Sequence, residues 1–181
     1  MLISHNELVQ IVKDQVISPV YHKAINAASI DIHLGDKILW EDIPWKAHDW
    51  EVDYRARKSL SFREHIMDEK GWLLRPGEFI LAQSVEVFNL PDNISAEYKL
   101  KSSMARIGLE HMNAGWCDAG WNGSVLTLEL KNMTKHHAIR IRPGDPIGQM
   151  VFFKHEPVPT EASYASKGRY NGDSSVSGIK A

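Results

Sequence analysis

The sequence predicts a mostly β domain, an all-β barrel or sandwich, with one short helix near its N-terminus. Three observations carry this. Between Ile30 and Phe153, apolar and polar residues alternate in short runs, with the period of two that a half-buried strand requires. Gly, Pro, Asn and Asp punctuate those runs, as in Arg75-Pro76-Gly77-Glu78, Leu90-Pro91-Asp92-Asn93 and Arg142-Pro143-Gly144-Asp145. A helical period is clear only over residues 4–13.

In that helix Ser4 precedes Glu7 at capping-box spacing, and Leu8, Ile11 and Val12 follow at helical intervals. Ser18-Pro19 stops it. Ile30, Ile32 and Leu34 alternate as a strand, and Ile38-Leu39-Trp40 continues after an expected Asp36-Lys37 turn. Residues 41–70 are charged, rich in tryptophan and weakly periodic, and are expected to be an irregular excursion with one strand at most. Strands are expected from Phe79 to Phe88, Ile94 to Leu100, Ser124 to Lys131, His137 to Ile141 and Pro146 to Phe153. The tail, 157–181, is rich in Ser, Gly and Ala, a composition that predicts a disordered end after a single domain over 1–156.

A chain of 181 residues with 43% hydrophobic composition is large enough to bury one core. A net charge of −2 gives no basic footprint for nucleic acid. No apolar run is long enough to span a membrane, and His5, Asn6 and Glu7 interrupt the only candidate leader. The single cysteine, Cys117, excludes an internal disulfide framework and suits a reducing compartment. Together these predict a soluble cytoplasmic protein. An H-x-E … P-C-x-x-C zinc-deaminase signature is lacking, so zinc is not expected. The histidines, His111, His136, His137 and His155 among them, are expected to be surface residues rather than a site, and Cys117 has no histidine placed by sequence to activate it.

The stretch Glu97 to Asn132 carries the chemistry. In Lys101-Ser102-Ser103-Met104-Ala105-Arg106, either serine can cap a short helix that Gly108 ends. Two hydroxyls, a lysine, a guanidinium and a helix start can make a phosphate seat, but spacing alone favours an ordinary capped turn with a surface arginine. A hairpin is expected over Asn113 to Gly123. In the following strand Leu126, Leu128 and Leu130 share one face, and Val125, Thr127, Glu129 and Lys131 the other. Strands deplete glutamate, so Glu129 is either on a solvated face or held in a pocket for a reason.

The blocks KSSMARIGL, NAGWCDAGW, NGSVLTLELKN and Ile141-Arg142-Pro143-Gly144-Asp145-Pro146-Ile147-Gly148-Gln149, with the earlier ASIDIHLG, resemble the dCTP deaminase family, relatives of the trimeric dUTPases. The matching blocks spread over residues 25–172 in the family's order. The resemblance implies a dUTPase-like distorted β-barrel or jelly roll, a homotrimer with sites shared between subunits, and zinc-independent deamination of dCTP. It implies Glu129 as the proton shuttle, Ser102 and the Ala114 carbonyl as holders of the attacking water, and Arg106 as the charge beside Glu129. Asp118 falls at the deoxyribose position. Lys101, Ser103, Trp116 and the tail residues Tyr164 and Arg169 are implied on the nucleotide, with the tail as a lid and magnesium carried by the triphosphate. dCTP is the implied substrate, with dUTP and dTTP as related nucleotides.

Three departures stand out. Lys101 replaces the family's arginine, which weakens bidentate phosphate contact. Asp173 stands where glutamine is usual. One extra residue lies between Gly123 and Glu129, and a β-bulge is expected to absorb it. Ala114-Gly115-Trp116-Cys117-Asp118 is similar to the A-G-W-I-D of members that continue to dUMP and pyrophosphate, Gly115 leaving room that a histidine fills elsewhere. The alternatives are a plain dUTP diphosphatase, although its R-G-x-x-G-F-G-S tail motif is missing here, and a catalytically silent nucleotide-binding trimer.

Overall fold

The computed structural model describes residues 1–43 and 50–180; within the irregular excursion, 44–49 lie outside the described residues. Helix α1 (His5–Lys13) buries Leu8 and Ile11 against the sheet. Ser4 is its N-cap residue, but its side chain makes no capping bond. The first helical N–H is instead satisfied from outside, His5 donating to the Ala27 carbonyl at 2.8 Å. The strands follow in order: β1 (Ile17–Ser18), β2 (Ile30–Glu41), β3 (Phe62–Ile66), β4 (Trp72–Leu74), β5 (Phe79–Asn89) and β6 (Ile94–Leu100). Helix α2 (Ser102–Arg106) leads to β7 (Leu109–Glu110), β8 (Trp116–Cys117), β9 (Asn122–Asn132), β10 (Ile139–Ile141) and β11 (Pro146–Lys154), and α3 (Tyr164–Lys167) lies in the tail.

Among the described residues, nine strands form one sheet in the order β7-β9-β5-β2-β11-β6-β8, with β1 added to β5 and β3 to β2. β4 and β10 pair separately. The large sheet curls into a half-closed barrel, the mostly β architecture that the alternation predicts. Ile30, Ile32 and Leu34 of β2, Leu128 and Leu130 of β9, and Met150 and Phe152 of β11 are all fully buried on its inner face. No helix among the described residues is long and apolar enough to cross a membrane.

Four local expectations are corrected. Asp36-Lys37 is no turn, because β2 runs on to Glu41 while pairing β5 on one side and β3 on the other. A register shift between Leu34 and Ile38 absorbs the irregularity there. Residues 113–123 form no hairpin: Trp116 and Cys117 pair with Glu97 and Ala96 of β6, so the chain crosses from one end of the sheet to the other. The N-cap of α2 is Lys101, not a serine, and no side chain caps it. The capping box of α1 does not form. At β2, at β8 and at the start of α1, tertiary partners override the local signal.

Two irregularities set the phase of β9. Phe88 faces Ser124 and Asn89 faces Asn122, which leaves Gly123, with φ of 63°, as a one-residue bulge. Its N–H is met by Asn89 Oδ1 at 3.0 Å. Further along, Gln83 faces Thr127 and Val87 faces Val125, so extra residues on β5 bow out around Ser84. Ser84 Oγ accepts the Leu126 N–H at 2.8 Å and donates to the Glu86 carbonyl at 2.6 Å, replacing ladder bonds that the bulge removes.

The tail lies along this strand. Val125 donates to the Asp173 carbonyl and Gly172 to that of Asn122, both at 2.9 Å, and Trp121 Nε1 donates to the Tyr170 carbonyl at 2.9 Å. Val176 is buried, its N–H on Gln83 Oε1 at 2.9 Å.

Gly148 is required by close approach. A Cβ there would sit 2.1 Å from the buried Tyr98 ring. Gly148→Ala should therefore lower stability by about 1–3 kcal/mol, the usual cost of overpacking. An unchanged urea midpoint would show that the Tyr98 ring yields without cost.

Candidate active site

Glu129 sits within β9 opposite Leu81 of β5, between the buried Leu128 and Leu130. Alternation turns it off the leucine face into a cleft of about 350 Å³. Ala114, Trp116, Cys117 and Asp118 form one wall of that cleft, and tail residues from Tyr164 to Ile179 form another.

Behind Glu129 lies His111, 3% exposed, in the residue after β7. Its Nε2 is 3.4 Å from Glu129 Oε2, and its ring centroid is 4.3 Å from that of Tyr98. Among the described residues four buried side-chain polar atoms lack a hydrogen-bond partner, and three of them belong to this trio of residues: Tyr98 Oη, His111 Nε2 and Glu129 Oε2. Such groups are costly to leave unpaired, so their convergence marks a place where something polar is handled.

Burial governs the charges. It pushes the Glu129 carboxyl up to about 7, a bond from its own backbone acting weakly the other way. It pushes the His111 imidazole down to about 4. Although the two groups are close enough for an ion pair, each is driven toward its neutral form, so near pH 7 the contact joins a neutral imidazole to a half-ionised carboxyl. Tyr98 is raised by burial and then by Glu129 and Glu86. The Cys117 thiol is pushed up to about 12, chiefly by burial, which leaves it inert as a nucleophile.

The remaining acids of the cleft are engaged. Asp118 Oδ1 accepts from Trp116 Nε1 at 2.8 Å, and Asp173 pairs with Lys180. Trp116 is 59% exposed, an aromatic face open to a planar partner. An ionisable carboxyl poised near neutrality, an open aromatic and hydrogen-bonding aspartates in one cleft suit proton transfer on a polar heterocycle.

A model of the dCTP deaminase-like family matches residues 2–155. The chain belongs to the dCTP deaminase-like family. It is 39% identical over 141 residues to the "dCTP deaminase, dUMP-forming" of Methanospirillum hungatei JF-1, covering 77% of this chain and 73% of that protein. It is 35% identical over 157 residues to the protein of the same name from Methanosphaerula palustris, covering 86% and 81%. The crystal structure of 2'-deoxycytidine 5'-triphosphate deaminase from Agrobacterium tumefaciens matches 83% of this chain with a TM-score of 0.63. At 21% identity that likeness is one of fold, and this chain spans 47%, about half, of that protein's length.

Of the residues that the family resemblance singles out, Glu129, Ala114, Trp116, Asp118 and Tyr164 line the cleft. Lys101, Ser102, Ser103, Arg106 and Arg169 are not among its lining residues. Ser102, Ser103 and Arg106 are exposed on α2, and Lys101 Nζ is held 2.7 Å from Asp31 Oδ2. Gly115 does not leave room in this family member. A Cβ there would lie 2.5 Å from the Tyr98 carbonyl oxygen, so glycine serves the close approach of β8 to β6. His111 is no surface histidine. Its signal was alternation: Leu109 is buried and Glu110 exposed, so residue 111 returns inward.

The pH dependence of stability follows from Glu129. Its folded value, about 7, lies above the ordinary 4.5. The folded state keeps a proton that the unfolded chain releases in between, so this contribution is whole below about pH 4.5 and lost as pH rises through 7. Glu129→Gln should then be more stable than the parent above pH 7, by about 1–3 kcal/mol, and show little gain near pH 4.5. Equal differences at both pH values, measured by urea unfolding, would remove the buried-carboxyl account.

Proposed function

We propose that this protein is a zinc-independent dCTP deaminase that releases ammonia and carries the product on to dUMP and pyrophosphate. The observation that carries the proposal is Glu129: a carboxyl held near neutrality by burial in a cleft, on the strand where the family resemblance puts its proton shuttle. The relatives' names, dUMP-forming, support the second half.

The chemistry at carbon 4 of cytosine needs a water that loses a proton, a ring nitrogen that gains one, and an ammonia that leaves. One carboxyl near pKa 7 can take the first proton and return it, since it gives and accepts with nearly equal ease at neutral pH. Ser102 and the Ala114 carbonyl hold the water in this scheme. Trp116 offers its face to the nucleotide, and Asp118, fixed by the Trp116 indole, takes the deoxyribose. For the second cleavage Asp118 is the group placed to orient a water toward the α-phosphate.

The charge of the cleft supports a trimer with shared sites. Asp118, Glu129 and Asp173 line it, while Lys101, Ser103 and Arg106 lie outside it in the same chain. A triphosphate needs those cations, and α2 of a neighbouring copy is the element that supplies them in this scheme. Arg106 is exposed, and no ion pair engages it among the described residues. Magnesium fits as a companion of the substrate. Two of the three cleft carboxyls are engaged by Trp116 and Lys180, so the donor set suits an ion held through phosphate oxygens rather than in a protein cage. When bound it supplies neutralisation of phosphate charge. Residues 1–156 form the catalytic body and 157–181 the lid, with Tyr164 and Arg169 on the nucleotide; dUTP and dTTP are further ligands of the same site. The setting is cytoplasmic.

Three measurements test this. Phosphorus NMR with an ammonia assay on dCTP and magnesium should show one ammonia and one pyrophosphate per dUMP. Stoichiometric dUTP without pyrophosphate would limit the protein to deamination, and no ammonia would end the proposal. Glu129→Gln should cut deamination by about 10²–10⁴-fold with dCTP binding retained. Truncation after Pro159 should raise the KM for dCTP and lower the urea midpoint by what the tail's bonds to β9 contribute, and normal turnover by the truncated protein would leave the tail no role as a lid.

A further inference from the structure

Nothing in the proposed scheme uses His111 or Tyr98, yet both are buried against the catalytic carboxyl. We infer that His111 is the positioning residue of Glu129: its imidazole, packed on the Tyr98 ring, lies against the carboxyl's inner oxygen and steadies it as the proton comes and goes. This rests on the deaminase proposal for its purpose, but its geometry stands without substrate.

The carboxyl is two-sided. Oε2 is buried against His111 Nε2 at 3.4 Å, while the side chain as a whole keeps 27% exposure and lines the cleft. A carboxyl that shuttles protons alternates between carboxylate and acid. The carboxylate needs a donor on its inner oxygen, and the acid can use an acceptor there. A neutral imidazole is either, according to its tautomer, and the low value of His111 keeps it neutral through the working range. A lysine would serve only the carboxylate, and an apolar residue neither.

The clamp is built. Tyr98 comes from β6, and its ring lies 4.3 Å from the imidazole, tilted by 52°. The Tyr98 ring is itself pinned from behind, for Gly148 of β11 has no Cβ and its place would fall 2.1 Å from that ring. The Tyr98 backbone N–H donates to the Gly115 carbonyl at 2.8 Å, which ties the ring to the cleft wall. The other titratable groups around the pair are Glu86 on β5, Cys117 and Asp118 of the β8 segment, and the Asp173–Lys180 pair of the tail. Glu86 is committed to His33, accepting from its backbone N–H at 3.0 Å, with His33 Nδ1 at 2.7 Å. Cys117 stays protonated. The Tyr98 hydroxyl is unpartnered too, and Tyr164 and Tyr170 line the cleft, but among these groups His111 is the one whose ring nitrogen lies 3.4 Å from the inner oxygen; Tyr98→Phe separates the hydroxyl from the imidazole.

The 3.4 Å contact is an approach and not yet a hydrogen bond; closed to one it favours the carboxylate, since a charge-assisted bond is about twice as strong as a neutral one to the acid. Removing the imidazole should therefore favour the acid. In ¹³C-glutamate-labelled protein, with the Glu129 carboxyl assigned through Glu129→Gln, its titration midpoint should rise by about one pH unit in His111→Phe. His111→Gln, whose amide also offers donor and acceptor, should return toward the parent midpoint. Circular dichroism and urea unfolding establish that each variant is folded. Should His111→Phe not fold, His111→Gln and Tyr98→Phe carry the test: the inference requires a midpoint near the parent's in the first and little change in the second, which keeps the clamping ring. In kinetics, kcat for ammonia release should fall at least tenfold in His111→Phe with KM for dCTP little changed. A Glu129 midpoint unmoved in a folded His111→Phe, or displaced in His111→Gln as far as in His111→Phe, would overturn the inference. Failure of the parent to release ammonia from dCTP is a separate result: it would remove the deaminase proposal and leave the carboxyl titrations standing.

Discussion

Desolvation of one carboxyl is the constraint on which this site depends. A buried carboxylate loses water that nothing apolar replaces, and its neutral form is favoured accordingly. Among the described residues no arginine or lysine pairs with Glu129; its inner oxygen lies against a neutral imidazole. Burial without a counter-charge keeps it near neutrality, where both directions of transfer are accessible.

Strand register is what puts the carboxyl there. A slip of one residue in β9 would exchange Glu129 with Leu128 or Leu130 and empty the core of a leucine. Two irregularities hold the phase: Gly123 bulges at one end, and the bow of β5 around Ser84 accommodates the middle. The same bow carries Glu86 inward to His33, and its hydroxyl bonds replace the lost ladder. Thus the departure from regular pairing that looks like a defect in β5 is tied to the position of the acid on β9.

Much of this was legible in the residues. Alternation gave β2, β5, β6, β9 and β11 and the faces of their side chains, because a period of two survives whatever the strand pairs with. Glu129 was visible as an anomaly in a leucine strand. Pairing partners were not visible. Trp116 and Cys117 read locally as half of a hairpin, yet β6 across the sheet offered them hydrogen bonds. His111 was hidden for another reason. Histidine frequencies favour the surface, and β7 is only two residues long, so its alternation carries little weight before the fold is known. The orphaned atoms of Tyr98 and His111 have no sequence signature at all, since they arise from where three separate strands converge.

The separation of charge within one chain bears on how a polyanion is received. Lys101 and Arg106 belong to the same short helical segment but are not equivalent. The Lys101 side chain is 27% exposed and its ammonium is already paired with Asp31, whose other oxygen accepts from Asn26 at 2.8 Å. Moving Lys101 to a phosphate exchanges one anion for another and strands a mostly buried aspartate, so little net attraction is gained. Arg106 gives up no protein ion pair among the described residues and is fully available to an arriving anion. The substitution of lysine for the family's arginine at 101 is then tolerable in the proposed reaction. At that position the ammonium can hold Asp31 and the β2 strand that carries it, while in the proposed scheme recognition of charge passes to the Arg106 guanidinium five residues on.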